Sequence, residues 1–208
     1  MRELLAEHRV VAIIRSTVAP TDELLDALVL GGLRLIEVTL GTPCALETVR
    51  AWTDRVGRDT RVGVGTVISE SDARRAIDAG ADFLVTPNLD DAVLRCATDS
   101  AVPVICGAMT PSEIVRAWDL GAAAVKVFPA SSIGGPSYVR EITAPLSAIP
   151  LVAVGGVTID DAVSYLTAGC TAVGVGSSLV PTTPIGHQEC EAISVRAREL
   201  VASIGGNG

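Results

Sequence analysis

The sequence predicts a (β/α)8 barrel, one domain over residues 1–208, and three observations predict it. Eight short runs rich in Val, Ile and Ala recur along the chain, and segments of helical character separate them. Strands of near-continuous apolar character alternating with amphipathic helices indicate a parallel sheet covered by helices. Eight units in 208 residues favour a closed barrel with short loops over an open doubly wound sheet. The open alternative also lacks a GxGxxG after the first strand, where "IIRSTVAPTDE" carries no glycine.

The first strand is "VVAIIR" from residue 10, followed by the helical "PTDELLDALVLGG". "LRLIEVTL" from 33 precedes "CALETVRAWTDRVG", and "RVGVGTV" from 61 precedes "SESDARRAIDAG". "DFLVTP" from 82 leads to "DDAVLRCATDS", and "VPVICGA" from 102 to "TPSEIVRAWDLG". Three more strands follow, "AAVKVFP" from 123, "PLVAVGG" from 150 and "TAVGVGSS" from 171. Several helical segments open on Thr, Ser or Asp, which cap orphan N–H groups, and close on Gly, which stops a helix. The tail "HQECEAISVRARELVASIGGNG" reads as a last helix with a disordered end over about 204–208. No sequence repeat underlies the architectural one.

A formal charge of -8 and a pI near 4.7 argue against a nucleic-acid or anionic-membrane partner. An anionic ligand therefore needs a local site. "MRELLAEHRVV" scatters charge with no continuous apolar segment, so no signal peptide is read there, nor is there an 18-residue apolar span. Five cysteines at 44, 96, 106, 170 and 190 show no CxxC or Cys/His ligand spacing. Their odd count fits a reducing cytosol, so the expected location is cytoplasmic, and they read as small buried apolar residues.

Lys126 is the only lysine among the sixteen basic residues, and it stands in "AAAVKVFPASS". Alternate residues of a barrel strand face the helices and the interior. Val125 and Val127 suit the helix layer, which leaves Ala124, Lys126 and Phe128 inside. On strand two, Ile36, Val38 and Leu40 face out while Leu35, Glu37 and Thr39 face in. A carboxylate and the lone lysine thus share one interior, where an unpaired charge is expensive. They can form a buried ion pair, or Lys126 can snorkel out of the mouth. Their position near the C-terminal strand ends, where barrel enzymes keep their sites, favours chemistry.

A lysine in a chain that otherwise uses arginine suggests a group that must lose its proton. A desolvated amine attacks a ketone, and the resulting iminium withdraws electrons from the neighbouring carbon, which permits carbon–carbon cleavage. Glu37 would supply the proton transfers. After strands seven and eight, "VGGV" with Gly155 and Gly156 and "VGSS" with Gly176 and Ser177 stand where barrels hold phosphate through backbone N–H groups. Taken singly these glycines are equally plain tight turns. Gly63, Gly65 and Thr66 in "VGVGTV" serve either packing or close approach of a substrate.

"IEVTL", "GVGTV", "VTPN", "VKVFPA", "AVGGV" and "GVGSSLV", in order and at matching spacing from about residue 8 to 180, resemble the 2-keto-3-deoxy-6-phosphogluconate aldolase family. The resemblance implies a metal-independent class I aldolase with no cofactor, homotrimeric, acting on a small phosphorylated keto sugar acid. It would release pyruvate and D-glyceraldehyde 3-phosphate. By position it makes Lys126 the Schiff-base residue and Glu37 the general acid/base. Thr66, Pro87 and Phe128 would line the pyruvyl pocket, and Gly155, Gly156 and Ser177 would hold phosphate.

The chain departs from that pattern at Gly41, where members acting on the gluconate epimer carry a carboxylate-binding arginine. Arg15, at the end of strand one, is the candidate replacement, or else an ordinary rim charge. Arg15, Val154 and Asn88 together resemble the relatives that act on the galactonate epimer, toward which the reading leans. Three other functions compete. A metal-dependent sugar-phosphate epimerase would need His ligands at strand ends, yet His8 and His187 lie outside the strands. A non-catalytic binding barrel and a broader aldolase for 4-hydroxy-2-oxoglutarate are the others.

Overall fold

The computed structural model describes residues 1–183 and 185–205. Its elements run α1 (Arg2–His8), β1 (Val10–Ile14), α2 (Asp22–Leu30), β2 (Leu35–Thr39), α3 (Ala45–Arg55), β3 (Arg61–Gly65) and α4 (Glu70–Asp78). They continue β4 (Leu84–Val85), α5 (Asp91–Asp99), β5 (Val104–Ala108), α6 (Pro111–Asp119), β6 (Ala124–Val127) and α7 (Gly135–Thr143). The last are β7 (Leu151–Val154), α8 (Ala162–Thr167), β8 (Ala172–Val175) and α9 (His187–Gly205). Each strand pairs in parallel with the next, and β8 returns to β1 with Val10 opposite Val173, which closes the barrel.

Period-two alternation sorts the strand residues into two cores. Ile36, Val38, Val125 and Val127 pack into the layer between barrel and helices. Leu35, Phe83, Val85, Ile105, Ala124 and Val152 fill the barrel itself. Helix boundaries follow local chemistry: Ser69 accepts from the Asp72 N–H, Asp90 from those of Ala92 and Val93, and Thr110 with Glu113 forms a reciprocal capping box. Gly80 and Gly121 follow their helices at φ 83° and 92°, a left-handed turn that side chains resist.

Three helices were not delimited in the sequence. Helix α1 places Leu5, fully buried, with Leu4 and Met1 against Val11 and Leu35, and so plugs the N-terminal end of the barrel. Helices α7 and α8 complete the outer ring. At the other end of the chain α9 packs on α2 so closely that a Cβ on Gly31 would lie 2.4 Å from the Ala197 Cβ. The tail expected to be disordered from about 204 lies within α9 up to Gly205, with Ile204 buried against the helix layer; residues 206–208 lie outside the described residues. Four cysteines are buried and Cys44 is exposed at the start of α3, all five as free thiols. Among the described residues no helix is long and apolar enough to cross a membrane.

Candidate active site

Lys126 on β6 and Glu37 on β2 both point into the barrel, 6% and 2% exposed. Among the described residues neither makes an ion pair within 4.0 Å. The Lys126 Nζ sits 4.7 Å from the centre of the Phe128 ring instead. Burial lowers the Lys126 pKa from its ordinary 10.5; Glu37 opposes the shift and Arg15 adds to it. Burial raises the Glu37 pKa from 4.5, against the pull of Lys126 and Arg15. Desolvation thus dominates both groups and moves them toward their neutral forms, the condition for an amine that attacks and a carboxyl that exchanges protons.

Glycines on β3 and β5, the strands next to β2 and β6, make room for this arrangement. Glu37 pairs with Gly63 in the sheet, but its side chain leans toward the mouth into the space that Gly65 leaves empty. A Cβ on Gly63 would strike the Phe83 ring at 2.6 Å. A Cβ on Gly107 of β5 would lie 2.2 Å from the Pro87 carbonyl carbon. The β3 to β5 side of the barrel mouth is therefore filled by protein.

The open space lies on the other side. A cavity of about 300 Å³ is walled by strand ends or following loops of β1, β2, β6, β7 and β8. Arg15, Glu37, Lys126, Phe128, Gly155, Gly156 and Ser177 line it, so seven of the nine residues expected at the site converge on one space. Thr66 and Pro87 are not in its walls, because Glu37 and Pro87 itself occupy the volumes next to Gly65 and Gly107. Both stand half-buried just beyond β3 and β4. Thr66 does hold φ 63°, a left-handed backbone that a β-branched residue adopts only against strain.

Gly155 and Gly156 take φ 96° and 73°. A Cβ on Gly155 would meet Pro129 Cα at 2.9 Å, and one on Gly156 would lie 1.9 Å from Ser131 Oγ, so the loop after β6 lies directly on this turn. The Ser131 N–H donates to the Gly155 carbonyl at 3.0 Å. Among the described residues the N–H groups of Gly156 and Ser177 donate to no protein acceptor, which leaves them free for an anion. Sequence reasoning missed Ile13, Val157, Gly174 and Thr182 in the walls. Thr182 carries no motif and arrives by the chain path after β8. Gly41 is exposed, and a Cβ there would meet nothing within 4 Å. Asn88 lies outside the cavity walls, with its amide donating to the Leu89 carbonyl.

A sequence model of the family described as KDPG and KHG aldolase matches residues 1–195. The chain belongs to that family. This aldolase chain is 35% identical over 176 residues to the 2-dehydro-3-deoxy-phosphogluconate aldolase of Dickeya dadantii (strain 3937), covering 85% of this chain and 82% of that one. It is 33% identical over 172 residues to the 2-dehydro-3-deoxy-6-phosphogalactonate aldolase of Escherichia coli (strain K12), covering 81% and 83%. A solved KDPG aldolase from Legionella pneumophila, with pyruvate captured at low pH as a covalent carbinolamine intermediate, superposes with a TM-score of 0.81 at 26% identity. That match covers 97% of this chain and 96% of the other. As a member of the family the chain is a carbon–carbon lyase.

Proposed function

We propose that this chain cleaves a 2-keto-3-deoxy-6-phosphohexonate, with preference for the galactonate epimer, to pyruvate and D-glyceraldehyde 3-phosphate. The observation that carries the reading is a desolvated lysine and a desolvated carboxyl in one 300 Å³ cavity with unused glycine and serine N–H groups. The neutral Lys126 amine adds to the C2 ketone, and loss of water gives a protonated imine. Glu37 removes the C4 hydroxyl proton; the C3–C4 bond breaks, its electron pair flows toward the iminium, and the aldehyde leaves. The enamine takes a proton back at C3 from Glu37, and water releases pyruvate and the free amine.

Arg15 receives the substrate carboxylate in place of the arginine absent at Gly41, and Gly155, Gly156 and Ser177 hold the phosphate. Phe128 covers Lys126 and keeps it dry. Thr66 and Pro87 contribute by closing the β3–β4 side. We infer in addition a homotrimer, which light scattering of the purified protein tests.

The deciding experiment measures pyruvate release from the two phosphohexonate epimers side by side. Faster release from the galactonate epimer supports the reading. Faster release from the gluconate epimer overturns the epimer preference and shows that Gly41 is tolerated. Release from neither, with release from 4-hydroxy-2-oxoglutarate, replaces the phosphohexonate with the shorter keto acid that the family's name also covers.

A further inference from the structure

We propose that Thr42 is a positioning residue whose hydroxyl fixes the backbone on both sides of Arg15 and so sets the guanidinium at the mouth of the cavity. The proposal rests on the reading that Arg15 receives the substrate carboxylate. Thr42 stands in the loop after β2, directly beside Gly41, and is 3% exposed. Its Oγ1 accepts from the Ser16 N–H at 3.3 Å and donates to the Ile14 carbonyl at 3.4 Å, the two residues that flank Arg15. The Thr39 hydroxyl lies 3.2 Å away.

A hydroxyl has one proton and two lone pairs. With its own proton given to Ile14, Thr42 must accept from both Ser16 and Thr39, and its capacity is then full. Thr39 is 1% exposed and follows Glu37 by two residues on the same inward face of β2. A line of hydrogen bonds therefore joins the strand that carries Glu37 to the strand end that carries Arg15. The far side of the segment is also held: the Thr17 N–H and hydroxyl both donate to the Thr182 carbonyl, at 3.0 and 3.2 Å. Among the described residues the exposed Arg15 side chain itself forms no ion pair within 4.0 Å, so the backbone from which it projects is the part of Arg15 that the protein holds. The loop that lacks the family's arginine is thus the loop that anchors the substitute.

The test measures kcat and KM for the faster-cleaved substrate in Thr42→Val, Thr42→Ala and Thr42→Ser, each also combined with Arg15→Ala, with Tm recorded for every protein. Thr42→Val should raise KM roughly tenfold while kcat holds, the scale of one lost hydrogen bond to buried groups. Thr42→Ser, which keeps the hydroxyl, should stay near the parent. On Arg15→Ala the Thr42 changes should add nothing to KM, because the residue they act through is gone. Thr42→Ala leaves room for water and serves where the valine variant does not fold. The proposal is overturned if Thr42→Ser loses as much as Thr42→Val, or if the KM effect persists in full without Arg15. An unchanged KM in Arg15→Ala alone overturns the carboxylate role, and the proposal with it; a raised KM there with an unchanged KM in Thr42→Val overturns the proposal alone.

Discussion

Gly65 and Glu37 compete for one volume: a Cβ on Gly65 would lie 1.7 Å from Glu37 Oε1 and 2.4 Å from its Cδ. Glu37 relieves such an overlap only by turning to another rotamer, so Gly65→Ala should push the carboxyl out of the place it holds. The rest of the site lies on other strands and is left standing. Cleavage should fall by about a hundredfold, the lower end of what a positioned acid/base contributes. Imine formation at Lys126 with pyruvate should survive, read as the adduct left by borohydride. Undiminished cleavage in Gly65→Ala would show that the proton is handled elsewhere.

The same pair shows what the sequence could and could not reveal. Alternation along a parallel strand put Glu37 and Lys126 inside because their neighbours Ile36, Val38, Val125 and Val127 are apolar enough to fix the helix-facing side. The spare volume at "GVG" was visible as two missing side chains. Which groups fill it was not, since Phe83 comes from just before β4 and Glu37 from β2. That filling moves the cavity toward β6, β7, β8 and β1 and leaves Thr66 and Pro87 out of its walls. Helix α1 escaped for a related reason: "RELLAEH" has a single fully buried residue, Leu5, and its place is set by the open end of the barrel rather than by its own pattern.

Lys126 is the only lysine in the chain, so covalent trapping has one side-chain amine to report. Pyruvate with borohydride should leave a reduced adduct on the Lys126 peptide and on no other side chain. Lys126→Arg keeps the charge, yet a guanidinium stays protonated and cannot form the imine. It should give no adduct and no cleavage. An unmodified Lys126 peptide in active protein would remove the lysine from the mechanism.

Burial of Lys126 should also be readable in stability. The folded state holds its pKa below 10.5, while the unfolded chain returns it to that value. Between the two values the unfolded state binds more protons, so this group makes stability rise with pH across that window. Glu37 acts in the opposite direction, because its raised pKa makes the folded state hold the extra proton above 4.5. Removing the carboxyl as Glu37→Gln separates the two, and it also removes the partner that props up the Lys126 charge. In that background the stability of the protein relative to its Lys126→Met derivative should climb as pH increases from 7 toward 10.5, measured as the difference in Tm. Near pH 7 the methionine derivative should be the more stable of the two, since an apolar side chain of similar length carries no desolvation penalty. A Tm difference that stays flat across this range would mean that Lys126 titrates as an exposed lysine does, and the amine would then have no neutral population at pH 7 with which to attack a ketone.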